Sequence, residues 1–270
     1  MGIVDNKQDS LLIVEGLKQY FGKGRSLVKA VDDVSFEIKK GQIYGLVGES
    51  GSGKTTVGRS VIRIYDPTGG SIRFKGTEIT GKLDKEKKQL ITSGIQMIFQ
   101  DPMASLNPSK KVFDIIAQGL DIHHLASSDA ERKDMVYEMM EEVGLNPGYA
   151  DRYPRQFSGG QRQRIAIART VILKPDLIIA DEPISALDVS IQAQIINLLK
   201  QLQQKYGTTI LFIAHDLSMV RYLSDVVGVM NRGHIVETGD TEEVFNNPKD
   251  QYTIDLLEAI PRMNPRRAEI

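Results

Sequence analysis

Residues 48–55 read Gly48-Glu49-Ser50-Gly51-Ser52-Gly53-Lys54-Thr55, the pattern G-x-x-x-x-G-K-[ST]. An apolar run, Ile43–Val47, precedes it, and a proline-free segment, 56–64, follows. Strand, glycine-rich loop and helix in that order form a cradle for polyphosphate. Glycines let successive backbone N–H groups turn inward, because no side chain blocks them. The helix that follows points its positive end at the same oxygens. In this pattern Lys54 reaches the β- and γ-phosphates, Thr55 offers its hydroxyl to Mg²⁺, and Thr56 extends the helix start.

Around the loop the chain divides by texture. Before and after it, short apolar or alternating runs at 11–14, 34–38 and 72–74 predict a β-rich N-terminal region. Tyr20, in Lys18-Gln19-Tyr20-Phe21-Gly22, is either core filler or a platform for a purine base. Residues 78–90 are polar and lysine-rich and read as a solvated surface segment. Ile95 to Phe99 form a buried strand that ends in a polar corner, Gln100-Asp101-Pro102. From Met103 to Arg155 the pattern turns helical. One helix is expected from Asn107-Pro108-Ser109 to about Gly119. Another is expected after Ser128-Asp129-Ala130-Glu131, a capping-box form, closed by Gly144. This segment reads as a helical lobe inserted into an α/β domain. The pair His123-His124 reads as surface, because no Cys or paired carboxylates stand at ligand spacing.

Ser158-Gly159-Gly160-Gln161 opens a helix expected to run to about Leu173, with Ser158 and Gln161 as a second capping pair. Exposed N–H groups and the helix dipole make such a start an anion site. Leu177 to Ala180 are continuously apolar, as in a parallel strand buried on both faces, and Asp181 and Glu182 stand at its carboxyl end. There Asp181 suits Mg²⁺ and Glu182 suits proton abstraction from a water. Ser185-Ala186-Leu187-Asp188 leads into a helix, and a third buried strand, 209–214, ends at His215. Runs at 226–230 and 234–237 predict a β-hairpin, followed by two short helices at 241–245 and about 252–259 and a polar tail.

The chain has 270 residues, 41% apolar and 26% charged, with net charge −1 and no cysteine. That is ordinary globular composition, without disulfide, thiol nucleophile or cysteine-held cluster. The balanced charge argues against nucleic acid as a partner. No apolar run approaches the roughly 20 residues of a membrane span, and the first ten residues lack a signal-peptide pattern, so a cytosolic placement is expected.

Taken together and in order, Gln100, the Ser158–Gln161 run, the strand ending Asp181-Glu182, the turn ending Asp188, and His215 resemble an ATP-binding cassette (ABC) ATPase. The resemblance spans nearly the whole chain. It implies a P-loop NTPase (RecA-like) α/β core, an N-terminal antiparallel β region and an inserted α-helical lobe. Residues 1–102 and 156–245 would form the nucleotide-binding domain, 103–155 the lobe, and 246–270 a C-terminal extension. It implies ATP and Mg²⁺ as cofactors. By resemblance Tyr20 stacks on adenine, Gln100 touches Mg²⁺ and senses the membrane partner, residues 158–161 are the signature, and His215 is the switch histidine.

The V-G-E-S-G-S-G-K stretch, the run Gln-Asp-Pro-Met-Ala-Ser-Leu-Asn-Pro at 100–108, and the tail from Asn247 to Pro261 resemble the ATPases of oligopeptide/dipeptide importers. That subfamily also serves nickel and glutathione. Asp250-Gln251 stands where His-Pro is usual, and the cysteines that hold an iron–sulfur cluster in some members are absent. The resemblance implies a place at the cytoplasmic face of the membrane. It implies two transmembrane permease subunits, a paralogous ATPase or a second copy of the chain, and an extracytoplasmic solute-binding protein acting indirectly.

A second anion-binding helix start is redundant in a subunit whose phosphate loop is complete. ATP held between one subunit's loop and another's signature removes the redundancy. A soluble ABC protein of ribosomes or DNA would carry two cassettes or a long coiled coil, and neither is present. A small-molecule kinase would leave Ser158–Gln161 and Asp188 unexplained.

Overall fold

A computed structural model describes residues 10–259. The segments 1–9 and 260–270, which include the end of the tail motif, lie outside the described residues.

Two sheets enclose one helix. The first is antiparallel, in the order β2-β1-β4-β5, built from β1 (Ser10–Phe21), β2 (Val28–Lys39), β4 (Gly69–Phe74) and β5 (Thr77–Glu78). The second has the order β10-β9-β3-β8-β7-β6. Its members are β3 (Ile43–Val47), β6 (Ile95–Ile98), β7 (Leu177–Asp181), β8 (Thr209–Ile213), β9 (Val226–Asn231) and β10 (His234–Asp240). All neighbours are parallel except the hairpin partners β9 and β10. The Arg232-Gly233 turn between those two has φ of 43° and 88°, the positive values a two-residue hairpin turn needs.

Helix α1 (Lys54–Val61) lies between the sheets. The strands around it are buried on both faces, which is why they read as unbroken apolar runs. Tyr44 and Leu46 of β3, Leu177 and Ile179 of β7, and Leu211 and Ile213 of β8 face α1 and the antiparallel sheet. The alternate residues, Ile43, Val47, Ile178, Ala180, Ile210 and Phe212, face a second core. That core is capped by α4 (Val112–His123), α5 (Asp129–Glu142), α6 (Gly159–Val171), α7 (Val189–Tyr206) and α8 (Leu217–Leu223). Residues of α4 and α5, such as Ile116 and Met140, are continuous with it.

Several expectations need correction. Strand β1 runs far past Val14, because a bulge at Gly16 (φ 58°) breaks the alternation and restarts it at Leu17. Apart from Ile79, which is buried in the core, the polar segment at 78–90 is exposed or half-buried, yet its end is helical. Asp84 caps α2 (Lys85–Gly94) by accepting from the Lys87 N–H. Pro102 starts a short helix, α3 (Pro102–Ser105), after β6 has already ended. Residues 107–110 form a turn, so α4 begins at Val112. It passes through Gly119, where an added Cβ would lie 2.8 Å from Leu173 Cδ2. It stops at left-handed His124. Ser128 caps α5, but the Glu131 carboxylate turns back to Ser127, not to Ser128, so the box is shifted by one residue. Helix α6 closes at Val171, two residues before the expected end. The last described elements are α9 (Thr241–Asn246) and α10 (Gln251–Glu258).

Candidate active site

The carboxyl ends of β3, β7 and β8 lie side by side, and the loops that leave them converge. The phosphate loop leaves β3. Two glycines fix its path by close approach. An added Cβ would lie 2.0 Å from the Met230 carbonyl at Gly48 and 2.2 Å from the Ala30 carbonyl at Gly53. The loop is thus pressed between β9 and β2, and Gly233 N–H donates to the Ser52 carbonyl at 2.9 Å. Gly53, in the left-handed region, is also the N-cap of α1, so no side chain covers the helix start. Ser50 and Gly51 lie exposed at the tip, and Thr56 follows Thr55 in the first turn of α1.

Lys54 is 4% exposed, and its ammonium donates to the carbonyls of Gly48 and Glu49 at 2.7 and 2.8 Å. Burial pulls its pKa down, against the opposing pull of the Glu182, Asp181 and Glu49 carboxylates. Thr55 Oγ1 donates to Asp181 Oδ1 at 2.7 Å. Asp181 is 1% exposed, its second oxygen has no hydrogen-bond partner, and burial pushes its pKa up. A buried, unpartnered carboxylate oxygen beside a hydroxyl suits a hard cation that takes oxygen ligands. No cluster of three His, Asp or Glu side chains able to hold a metal occurs among the described residues. Such an ion would therefore share its coordination with a ligand's oxygens.

Glu182 follows directly, and its φ of 45° is rare for a side chain of this size. A turn fixes that conformation. Glu182 N–H donates to the Ile213 carbonyl at 2.9 Å, while the Ser185 N–H and hydroxyl both return to the Glu182 carbonyl. The twist turns Glu182 away from buried Asp181 into an open cleft of about 580 Å³ lined by Ser50, Gln100, Asp101, Ser185 and His215. There Gln100 Nε2 donates to Glu182 Oε2 at 2.9 Å, and His215 Nδ1 lies 3.5 Å from the same oxygen. Gln100 Oε1 is left as an acceptor.

The fold thus brings the 48–56 loop, Gln100, Asp181, Glu182 and His215 to one end of the six-stranded sheet. It keeps the remaining candidates apart. Ser158 caps α6 with Gln161 in a reciprocal box. Gly159 and Gly160 face the 187–191 region, and none of the four residues hydrogen-bonds to the phosphate loop. Asp188 precedes α7 exposed, without a side-chain capping bond. Tyr20 lies on β1 opposite Lys29, with its hydroxyl on Asp32 and the Lys29 ammonium 5.2 Å from its ring centroid. Two residues that sequence reading did not assign also belong here. Ser185 braces the Glu182 turn, and Tyr252 accepts a hydrogen bond from the Glu49 N–H at 3.1 Å.

Residues 31–185 match the ABC transporter family, and residues 236–270 match the oligopeptide/dipeptide transporter C-terminal region. The chain is 56% identical to the oligopeptide transport ATP-binding protein OppF of Bacillus subtilis, over 95% of this chain and 84% of that one. It is 51% identical to AmiF of Streptococcus pneumoniae, over 95% and 83%. Among solved structures it resembles an ATP-binding cassette captured as a dimer in a post-hydrolysis state with ADP and Pi. That match has TM-score 0.78 and 27% identity, over 85% of this chain and 98% of that one. It also resembles cbiO1 of Clostridium perfringens, part of an ABC transporter complex, with TM-score 0.78 and 28% identity over 88% and 92%. A phosphate loop, a strand-end carboxylate pair and a glycine-rich capped helix, on a sheet shared with known cassettes, make this chain a member of the ABC transporter ATPases, in the oligopeptide/dipeptide branch.

Proposed function

We propose that the chain is the ATP-hydrolysing subunit of an importer of oligopeptides or dipeptides, seated at the cytoplasmic face of the membrane. It would act on two transmembrane permease subunits that receive solute from an extracytoplasmic binding protein. The observation that carries the catalytic part is Glu182, turned into the cleft by a left-handed backbone, with Gln100 hydrogen-bonded to it and His215 beside it.

The 48–56 loop binds the ATP phosphates through Lys54 and the backbone N–H groups it leaves free, the Glu49 N–H being held by Tyr252, with Tyr20 against the base. Thr55, Asp181 and the Gln100 carbonyl are the residues that would hold Mg²⁺. That ion would neutralise charge on the phosphates. Glu182 orients and polarises the attacking water, and Lys54 and His215 stabilise charge on the transferred group. Residues 158–161 and Asp188 of a second subunit close over the nucleotide. A paralogous ATPase or a second copy of this chain fits that role, since Glu182 and the 158–161 run are both present. In this division residues 1–102 and 156–245 form the core, 103–155 the helical lobe and 246–270 the extension.

The permease seat we infer is a groove of about 450 Å³ between α4 and the α2–β6 corner, lined by Ile91, Met97, Phe99, Gln118 and Ile122. Phe99 lines it while its neighbour Gln100 holds Glu182, so movement in the groove reaches the hydrolytic carboxylate in one residue.

The test is Glu182→Gln. It should bind ATP normally and hydrolyse it at least about 100-fold more slowly, the usual contribution of a positioned base. Purified from gently solubilised membranes in ATP, it should carry two polytopic permeases. Wild-type turnover removes Glu182 from its role. Co-purified ribosomal proteins or nucleic acid without a permease overturn the transport reading.

A further inference from the structure

The peptide plane that joins Gly48 to Glu49 is held at both of its polar ends. Its carbonyl, that of Gly48, accepts from the Lys54 ammonium at 2.7 Å. Its N–H, that of Glu49, donates to the Tyr252 hydroxyl at 3.1 Å. The two bonds come from residues 198 positions apart, Lys54 in the nucleotide loop and Tyr252 in the C-terminal extension. Rotation of that plane would break both.

Tyr252 is itself firmly placed. It stands in the first turn of α10, where the Asp250 side chain accepts its N–H at 2.9 Å. The turn before it is fastened to β10, because the Glu237 carboxylate accepts the N–H groups of Lys249 and Asp250 at 2.9 and 3.1 Å. The Tyr252 ring packs on the same apolar core as β3. A continuous path of bonds therefore runs from β10 through α10 to the phosphate loop.

The two holds are not equivalent. Lys54 is the group that a polyphosphate would draw away from the Gly48 and Glu49 carbonyls. The Tyr252 hydroxyl has no such competitor, and once the lysine has turned it is the bond that keeps the plane in register. We propose that Tyr252 is a positioning residue of the nucleotide site, by which the C-terminal extension sets the shape of the phosphate loop and so the affinity for ATP. This rests on residues 48–56 being the ATP site. It adds a role for a residue whose side chain points at no reacting atom.

The experiment compares Tyr252→Phe with wild type in the full chain. Binding of mant-ATP with Mg²⁺ is read by fluorescence, and exchange of the Glu49 amide by hydrogen–deuterium exchange. The ring is retained, so Tm should fall by no more than a few degrees and the exchange of the α10 amides should not change. Loss of one such hydrogen bond should raise the Kd by about 3- to 10-fold. The Glu49 amide should exchange faster even without nucleotide, and kcat at saturating ATP should hold. Leu256→Ala, which loosens α10 on the core but keeps the hydroxyl, is the control and should move Kd less. An unchanged Kd, an unchanged Glu49 amide, or a Leu256→Ala effect as large as that of Tyr252→Phe overturns the inference. If wild type and Lys54→Ala fail alike to bind mant-ATP, the ATP reading itself falls, and the nucleotide-free amide exchange still judges the clamp.

Discussion

Asp181 and Glu182 are neighbours in sequence and opposites in environment. Asp181 is sealed at the carboxyl end of the interior strand β7 with one oxygen unpaired, while Glu182 opens into the cleft between two polar neighbours. Burial raises the Asp181 pKa, so its charged form is the one the fold disfavours. A carboxyl whose folded pKa is raised lowers stability once the pH exceeds its unfolded value, fully so above the folded pKa. The ligand-free chain carries that burden at neutral pH. Asp181→Asn keeps an acceptor for the Thr55 hydroxyl and removes the charge. It should raise Tm without nucleotide by about 2–4 °C, corresponding to about 1 kcal/mol, while ATP hydrolysis is lost. The gain over wild type should shrink as the pH falls below the folded pKa of Asp181. Scanning calorimetry from pH 7 to pH 4 checks both the sign and the trend, and a gain that grows on acidification refutes it.

At the scale of elements, helix α6 shows why its two opening glycines are not equivalent. An added Cβ at Gly160 would lie 2.6 Å from Ile191 Cγ2 of α7, whereas at Gly159 the nearest atom, Leu187 Cδ2, is 3.4 Å away. Gly160 is therefore required by packing within one chain, which the sequence alone attributed to anion binding. Gly160→Ala should lower Tm by about 3–8 °C through overpacking, and Ile191→Ala should restore most of it in the double variant. Gly159→Ala should leave Tm nearly unchanged. Comparable losses at both positions, in thermal unfolding of the purified chain, would remove the packing explanation. The same contrast marks what was legible beforehand. Strands β3, β7 and β8 announced themselves because burial on both faces leaves no polar residue inside them, and their ends located Lys54, Asp181, Glu182 and His215. Strand β1 was half hidden because the bulge at Gly16 reverses its alternation. Helix α2 was missed because its charged surface leaves little apolar periodicity to read. Tyr252 was out of reach, because its bond to Glu49 joins segments that no local pattern connects.

For the molecule as a whole, the coupling proposed above requires the carboxyl end of the sheet and the groove to communicate, and the distance between them is short. The corner after β6 carries Phe99 into the groove and Gln100 onto Glu182. Ile122 stands at the groove's outer wall with 62% of its surface exposed, and Met103, just past the corner, is 42% exposed. Large apolar side chains left in water beside a concave, largely apolar surface mark an interaction site. No helix among the described residues is long and apolar enough to cross a membrane. Ile122→Asp would bury a carboxylate without a counter-charge in that interface. The penalty is about 2 kcal/mol or more, enough to weaken the complex about 30-fold. The variant should fold with wild-type Tm, because Ile122 is exposed, and should bind mant-ATP with unchanged Kd. Affinity purification from solubilised membranes should then recover the ATPase with little or no permease. Permeases recovered at the wild-type ratio would move their seat away from this groove. Loss of nucleotide binding along with them would show that the groove and the phosphate loop are not separable surfaces, contrary to the arrangement proposed above.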